Sequence, residues 1–211
     1  MRQSASTLRR VDVSEPAAAM SLRHTIAQAQ ELFGEDTAGV GAYNERVGML
    51  VEAFGVHVGL SIETAQRWAR AACLHDVGKL WVPAGILLKS GPLSVDERHV
   101  MKQHTLMGHL RLQPVCEVAA AMALSHHENF DGSGYPFNLV GSDIPFAGCL
   151  VRLLDVYDAL RSLRPYKPAL SHNEAVAIML QGDERVRPTM FDPRLLHCFE
   201  QYHRLIEARY G

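Results

Sequence analysis

The sequence predicts an all-α fold on three observations. No stretch sustains the period-two alternation of a half-buried strand, apolar residues recur at spacings of three and four, and Ser, Asp and Pro repeatedly stand where helices begin. The 211 residues, 47% hydrophobic and 21% charged, suffice for one full-sized core and not for two large domains. A net charge of −2 argues against a general binder of nucleic-acid polymers or of membrane surfaces. The longest purely apolar run, Val118 to Leu124, has seven residues and is far too short to span a membrane. Arg2, Arg9 and Arg10 are followed by no secretory-type apolar segment. Cys73, Cys116, Cys149 and Cys198 are too scattered for a disulfide framework or a zinc ribbon. The expectation is reduced thiols in a cytoplasmic protein.

The first helix is expected from near Ser14, with Pro16 in its first turn, to about Phe33, where Gly34 interrupts it. It reads as an appendage, so residues 1–36 are assigned to a tail and helix and 37–211 to the main domain. Its apolar stripe is weak, and pairing with a second copy in a homodimer is the use it suggests. A second helix follows over Val40 to Phe54. Ser61, with Thr64 three positions on, caps a third that carries Trp68, Ala72 and Leu74 and delivers His75 and Asp76 at its end. Gly78, Pro83, Gly85, Gly91 and Pro92 make 77–92 a loop. Ser94 and Glu97 form a capping box opening a helix to about Leu110, and Pro114 starts another that ends near His126. The Gly and Pro residues from Gly132 to Pro145 mark a long loop, and a helix over Phe146 to Leu160 carries Asp155 and Asp158. Ser171 with Glu174, and Asp192 before Pro193, announce the last two helices.

Histidine is the unusual residue: 11 His exceed the two Trp and six Tyr together, and imidazole is the commonest protein metal ligand. The sharpest local signal is His126-His127-Glu128-Asn129-Phe130-Asp131-Gly132-Ser133-Gly134-Tyr135-Pro136. Two adjacent imidazoles at a helix end can both turn toward one ion, and imidazole suits iron, manganese or zinc. The second signal is His75-Asp76-Val77-Gly78-Lys79, which supplies an imidazole, a carboxylate able to bridge two metals and an ammonium able to neutralise phosphate.

These residues resemble the HD superfamily of metal-dependent phosphohydrolases, and specifically its HD-GYP branch of cyclic di-GMP phosphodiesterases. His75-Asp76 with Gly78-Lys79 looks like the HD signature, and Gly134-Tyr135-Pro136 after the paired histidines looks like the GYP loop. The resemblance runs on through Ile86 to Leu93, His104-Thr105 with Gly108, Ile144-Pro145, Asp155 to Leu160, Arg164-Pro165-Tyr166-Lys167 and Phe191-Asp192-Pro193, in order. It implies an HD-domain helical bundle that holds two divalent metal ions, iron or manganese. One would be bound by His75, Asp76 and Asp155, and the other by His104, His126 and His127, with Asp76 bridging. A hydroxide between the metals would attack the phosphodiester of cyclic di-GMP, giving pGpG or GMP. Lys79 would contact a phosphate. Arg164 and Lys167 resemble the family's substrate-phosphate contacts, and the loop carrying Tyr135 would shape the pocket or dock partner proteins.

Two positions depart from the family, and at one of them the Glu that supports a third metal in trinuclear members is replaced by Gly39, which implies two metals at most. At the other, a histidine normally stands three residues before the Arg-Val pair, and here Tyr43 precedes Arg46-Val47 at that place. A phenolate is a competent iron ligand, although its ordinary pKa is about 10. Two functions of different class follow: an active phosphodiesterase, or an impaired member that binds cyclic di-GMP or partner proteins without turnover. The remaining helical histidines, His99, His109, His172, His197 and His203, read as surface or satisfied residues. Asp158 either orients a ligand histidine or is solvated, and Met49, Met101, Met107 and Met122 read as core fillers.

Overall fold

The computed structural model describes residues 40–163 and 168–210, so the helix expected over Ser14 to Phe33 lies outside the described residues. The all-α expectation holds: among the described residues there is no strand, only the isolated antiparallel bridge Asp131–Val140. The helices are α1 (Val40–Gly55), α2 (Ile62–Ala72), α3 (Ala84–Leu87), α4 (Val95–Lys102), α5 (His104–Leu112), α6 (Glu117–Ser125), α7 (Phe146–Arg161), α8 (His172–Gln181) and α9 (Pro193–Tyr210). Single 3-10 turns lie at Val77–Trp81, Gly141–Asp143 and Pro188–Met190.

The caps form where the sequence places them. Ser61 accepts the Thr64 amide. The Ser94–Glu97 and Ser171–Glu174 boxes are both reciprocal. Two elements differ from expectation. The 77–92 segment holds a 3-10 turn and α3 rather than loop throughout. The helix expected from Ser94 to Leu110 is broken at Gln103. At that break the His104 ring bonds the Met101 carbonyl and the Thr105 hydroxyl donates to the Lys102 carbonyl. Local side-chain bonds of this kind compete with the helical ladder. The break starts α5 at His104, whose side chain is buried.

Twelve of the sixteen residues of α7 are buried, so it is a central helix rather than an amphipathic surface one. It packs against α1, α6, α8 and α9. Leu150, Leu153, Leu154 and Tyr157 are fully enclosed, each such burial contributing about 1.5–3 kcal/mol. Phe199 of α9 meets Phe54 and Tyr157 edge-on, at 6.3 and 5.6 Å between ring centres. Met122 is a core filler as expected, but Met49 is half exposed, on the outer face of α1.

Asp158 is fully buried and is not the solvated residue that was one reading of it. The Arg46 guanidinium donates to both its oxygens, Nε to Oδ1 at 2.8 Å and Nη2 to Oδ2 at 3.2 Å, which ties α1 to α7. No helix among the described residues is long and apolar enough to cross a membrane.

Candidate metal centre

Four pieces of chain end at one point: the turn after α2, the start of α5, the end of α6 and the middle of α7. His75 and Asp76 follow the last turn of α2, and His126 and His127 follow α6. At a helix end two consecutive side chains need not diverge by the helical angle. Asp76 lies at the middle. Its Oδ1 is 3.3 Å from His104 Nε2 and 3.5 Å from His126 Nε2, while its Oδ2 is 3.4 Å from His75 Nε2 and 2.5 Å from Lys79 Nζ. Asp155 Oδ1 is 3.9 Å from His75 Nε2. His127 completes the far side, its ring centre 4.1 Å from that of His126 and 5.1 Å from that of His104.

Second bonds fix the orientation of three of the rings. Nδ1 of His75 meets the Ala72 carbonyl at 2.7 Å, that of His104 the Met101 carbonyl at 2.6 Å, and that of His126 the carbonyls of Met122 and Ala123 at 3.0 Å. A carbonyl only accepts, so Nδ1 carries the proton and each Nε2 presents a lone pair. Ligating atoms from Asp76, His104, His126 and His127 then lie within 4.8 Å of one another. The Nε2 atoms of His104 and His126 face each other at 3.4 Å. Only a proton or a cation relieves such a cluster of electron pairs. Burial makes the proton costly, pushing His126 down to about 4 and, together with the neighbouring imidazoles, His127 well below the ordinary value. The donor set therefore fits a divalent cation, and mixed imidazole and carboxylate suits iron, manganese or zinc.

Asp76 and His75 have opposite balances. Burial opposes charge on Asp76, but Lys79 and then His75 outweigh it and hold the carboxyl well below its usual range. Burial likewise opposes charge on His75, and the adjacent Asp76 and Asp155 outweigh it and raise the imidazole.

The structure thus gathers six of the expected site residues, His75, Asp76, His104, His126, His127 and Asp155, round one point. Lys79 stands beside them on Asp76. Tyr135 stacks on His127, with 4.6 Å between ring centres and planes 24° apart, and forms a wall of the centre. Burial pushes its phenol up, so the ring stays neutral. Arg164 and Lys167 lie outside the described residues, as does the side chain of Tyr43. His57 stacks on Tyr202, with 4.6 Å between ring centres.

Three residues of the same motif, to which the sequence assigned no role of their own, hold the loop. Glu128, next to the paired histidines, turns away from them; its two oxygens accept from the Phe137 and Leu139 amides at 2.7 and 3.0 Å. Asn129 donates to Ser133 and accepts from Arg152. Asp131 binds Arg187 and Thr189, which fastens the loop to the turn before α9.

A helical bundle that converges imidazoles and carboxylates from four separate segments is the scaffold of a metal-site protein. Residues 12–195 match the HD domain family. The chain belongs to that family and, with its paired histidines and Gly134-Tyr135-Pro136, to the HD-GYP branch. A cyclic di-GMP phosphodiesterase of Vibrio cholerae is 44% identical over 62% of this chain and 27% of its own length. The cyclic di-GMP phosphodiesterase response regulator RpfG of Xanthomonas campestris is 39% identical over 82% of this chain and 46% of its own. A 3'3'-cGAMP-specific phosphodiesterase of Vibrio cholerae is 34% identical over 90% of this chain and 36% of its own. The chain therefore spans between about a quarter and a half of these relatives. Among solved structures, a HDG"Y"P protein of Bdellovibrio bacteriovorus shares the fold at a TM-score of 0.61 and 18% identity, over 92% of this chain and 62% of that one.

Proposed function

We propose that this chain is a phosphodiesterase that hydrolyses a cyclic dinucleotide, cyclic di-GMP first, with two divalent cations, iron or manganese. One observation carries the reading: Asp76 presents one oxygen to His104 and His126 and the other to His75, as a carboxylate shared by two cation sites would. His75, Asp76 and Asp155 would hold one cation, and Asp76, His104, His126 and His127 the other. Bound there, the cations supply an activated water at neutral pH and charge neutralisation for the phosphoryl oxygens.

The chain's own residues do the rest. The carbonyls of Ala72, Met101, Met122 and Ala123 hold the tautomers of His75, His104 and His126, so those three rings already present Nε2. Lys79 bonds to Asp76 without substrate and is placed to share its charge with a phosphate oxygen. Tyr135, with its loop pinned by Glu128, closes one side of the pocket. Arg164 and Lys167 are assigned to the substrate phosphates by the family resemblance alone. Relatives named for cyclic di-GMP are 36 to 44% identical to this chain, against 32 to 34% for three named for 3'3'-cGAMP, which favours cyclic di-GMP.

The test is turnover of each cyclic dinucleotide by anaerobically purified protein loaded with iron or manganese, with metal per chain measured on the same sample. Hydrolysis with two metals bound, abolished by Asp76→Ala together with the metal, supports the proposal. Nucleotide binding with no hydrolysis would make this an impaired member in which Tyr43 replaces a required ligand.

A further inference from the structure

Beside the wall formed by Tyr135 stands a cation that the catalytic reading leaves unused. Lys102, the last residue of α4, holds its Nζ 4.8 Å from the centre of the Tyr135 ring. It is two residues before His104, on the His104 and His127 side of the centre, whereas Lys79 stands on the His75 side, against Asp76 Oδ2. Among the described residues no carboxylate lies within ion-pair distance of Lys102. The side chain is exposed, but its main chain is anchored: the carbonyl accepts the hydroxyl of the buried Thr105 at 3.1 Å.

We propose that Lys102 is a substrate-binding residue that takes the phosphodiester not undergoing cleavage. This rests on the phosphodiesterase reading and adds a phosphate subsite to it. A cyclic dinucleotide carries two phosphodiesters on opposite edges of its ring, and only one can sit at the cations. The other needs counter-charge at the rim, and Lys102 would supply it in addition to Arg164 and Lys167, which the family resemblance assigns to the phosphates. An ammonium held by an aromatic face alone is weakly held, because an exposed cation–π contact is worth less than a charge-assisted bond to phosphate. Phosphate therefore draws Lys102 off Tyr135, whereas Lys79 keeps its carboxylate partner. The Tyr135 face that it leaves is then open to stack against a purine.

Steady-state kinetics of the manganese-loaded protein test this, with cyclic di-GMP compared against bis(p-nitrophenyl) phosphate, which has one phosphodiester. Lys102→Ala should raise KM for cyclic di-GMP by about tenfold with kcat within about twofold, and leave the one-phosphate ester unchanged. Lys102→Arg should restore most of the loss. An unchanged KM, or an equal loss on both esters, would overturn the subsite. Calorimetric titration of cyclic di-GMP into wild type and Lys102→Ala separates the two levels. If the wild type binds without turning over, the phosphodiesterase reading fails, and about tenfold weaker binding by the variant would still support the subsite. Equal binding would remove it.

Discussion

Gly78 lies directly against the main chain of His104. A Cβ at position 78 would overlap the His104 carbonyl oxygen and stand 2.6 Å from the Gly108 nitrogen. The 3-10 turn that follows Asp76 can therefore nest on the first turn of α5 only because residue 78 has no side chain. That contact brings Asp76 Oδ1 to 3.3 Å from His104 Nε2, although the two residues are 28 positions apart.

Gly78→Ala should accordingly damage the metal centre more than the core. Forcing a methyl into a packed contact costs about 1–3 kcal/mol, which at this size lowers Tm by roughly 3–10 °C. The same displacement separates Asp76 from His104, so cation affinity should fall at least about tenfold. Calorimetry with metal per chain measured on the same variant checks both, and unaltered metal binding would show that the contact serves stability alone.

Glu128 is a second anchor. Truncation by Glu128→Ala removes the buried acceptor of the Phe137 and Leu139 amides, a loss of about 0.5–1.5 kcal/mol for each bond. The loop that carries Tyr135 should loosen, raising KM for the cyclic dinucleotide severalfold while metal content per chain stays at the wild-type value. Loss of metal instead would identify Glu128 as a support of the paired histidines.

These two residues show what could be read from the chain and what could not. The capping boxes at Ser94 and Ser171 are local, closed within three residues, and so visible in sequence. The break of the helix at Gln103 depends on His104 reaching back to a carbonyl, a choice made by the site it must join. His75-Asp76 and the paired His126 and His127 stand out as local patterns, whereas His104 and Asp155 are assigned by the family resemblance, and the structure brings the six side chains together. Glu128 was not legible, since a carboxylate beside two histidines invites a ligand reading, and its real partners are amides nine and eleven residues later. Asp158 was ambiguous for the same reason: its partner Arg46 is 112 residues away.

In the metal-free protein, stability should fall as pH drops from about 6.5 to about 4. His126, near 4 when folded, and His127, also depressed, stay neutral in the native state across that window, while the unfolded chain takes up a proton at each near 6.5. Stability therefore rises with pH there, by up to about 1.4 kcal/mol per pH unit for each proton. His75 acts the other way and in another window. Its raised value gives stability that is fully present below about 6.5 and lost as pH climbs through its folded value. Urea midpoints of chelator-treated protein against pH should therefore pass through a maximum near neutrality, with His126→Gln flattening the acid limb. A flat profile from pH 4 to 6.5 would mean that the imidazoles are not kept neutral by burial.

Arg46 on Asp158 sets the alignment of α1 with α7, whose middle carries Asp155 to the His75 side of the centre. Tyr43 stands three residues before Arg46, and Asp155 three residues before Asp158, so each is one helical turn from the ion pair. The family resemblance puts a histidine at position 43, and a neutral imidazole is a far better ligand at pH 7 than a phenol with an ordinary pKa of about 10. Tyr43→His should then raise metal per chain at the site of His75, Asp76 and Asp155, and raise kcat with manganese, which binds phenolate less readily than iron does. Elemental analysis after anaerobic loading measures the first and product chromatography the second. Unchanged metal content would show that position 43 is not a ligand position here, and that the His75 side is completed by Asp76, Asp155 and solvent.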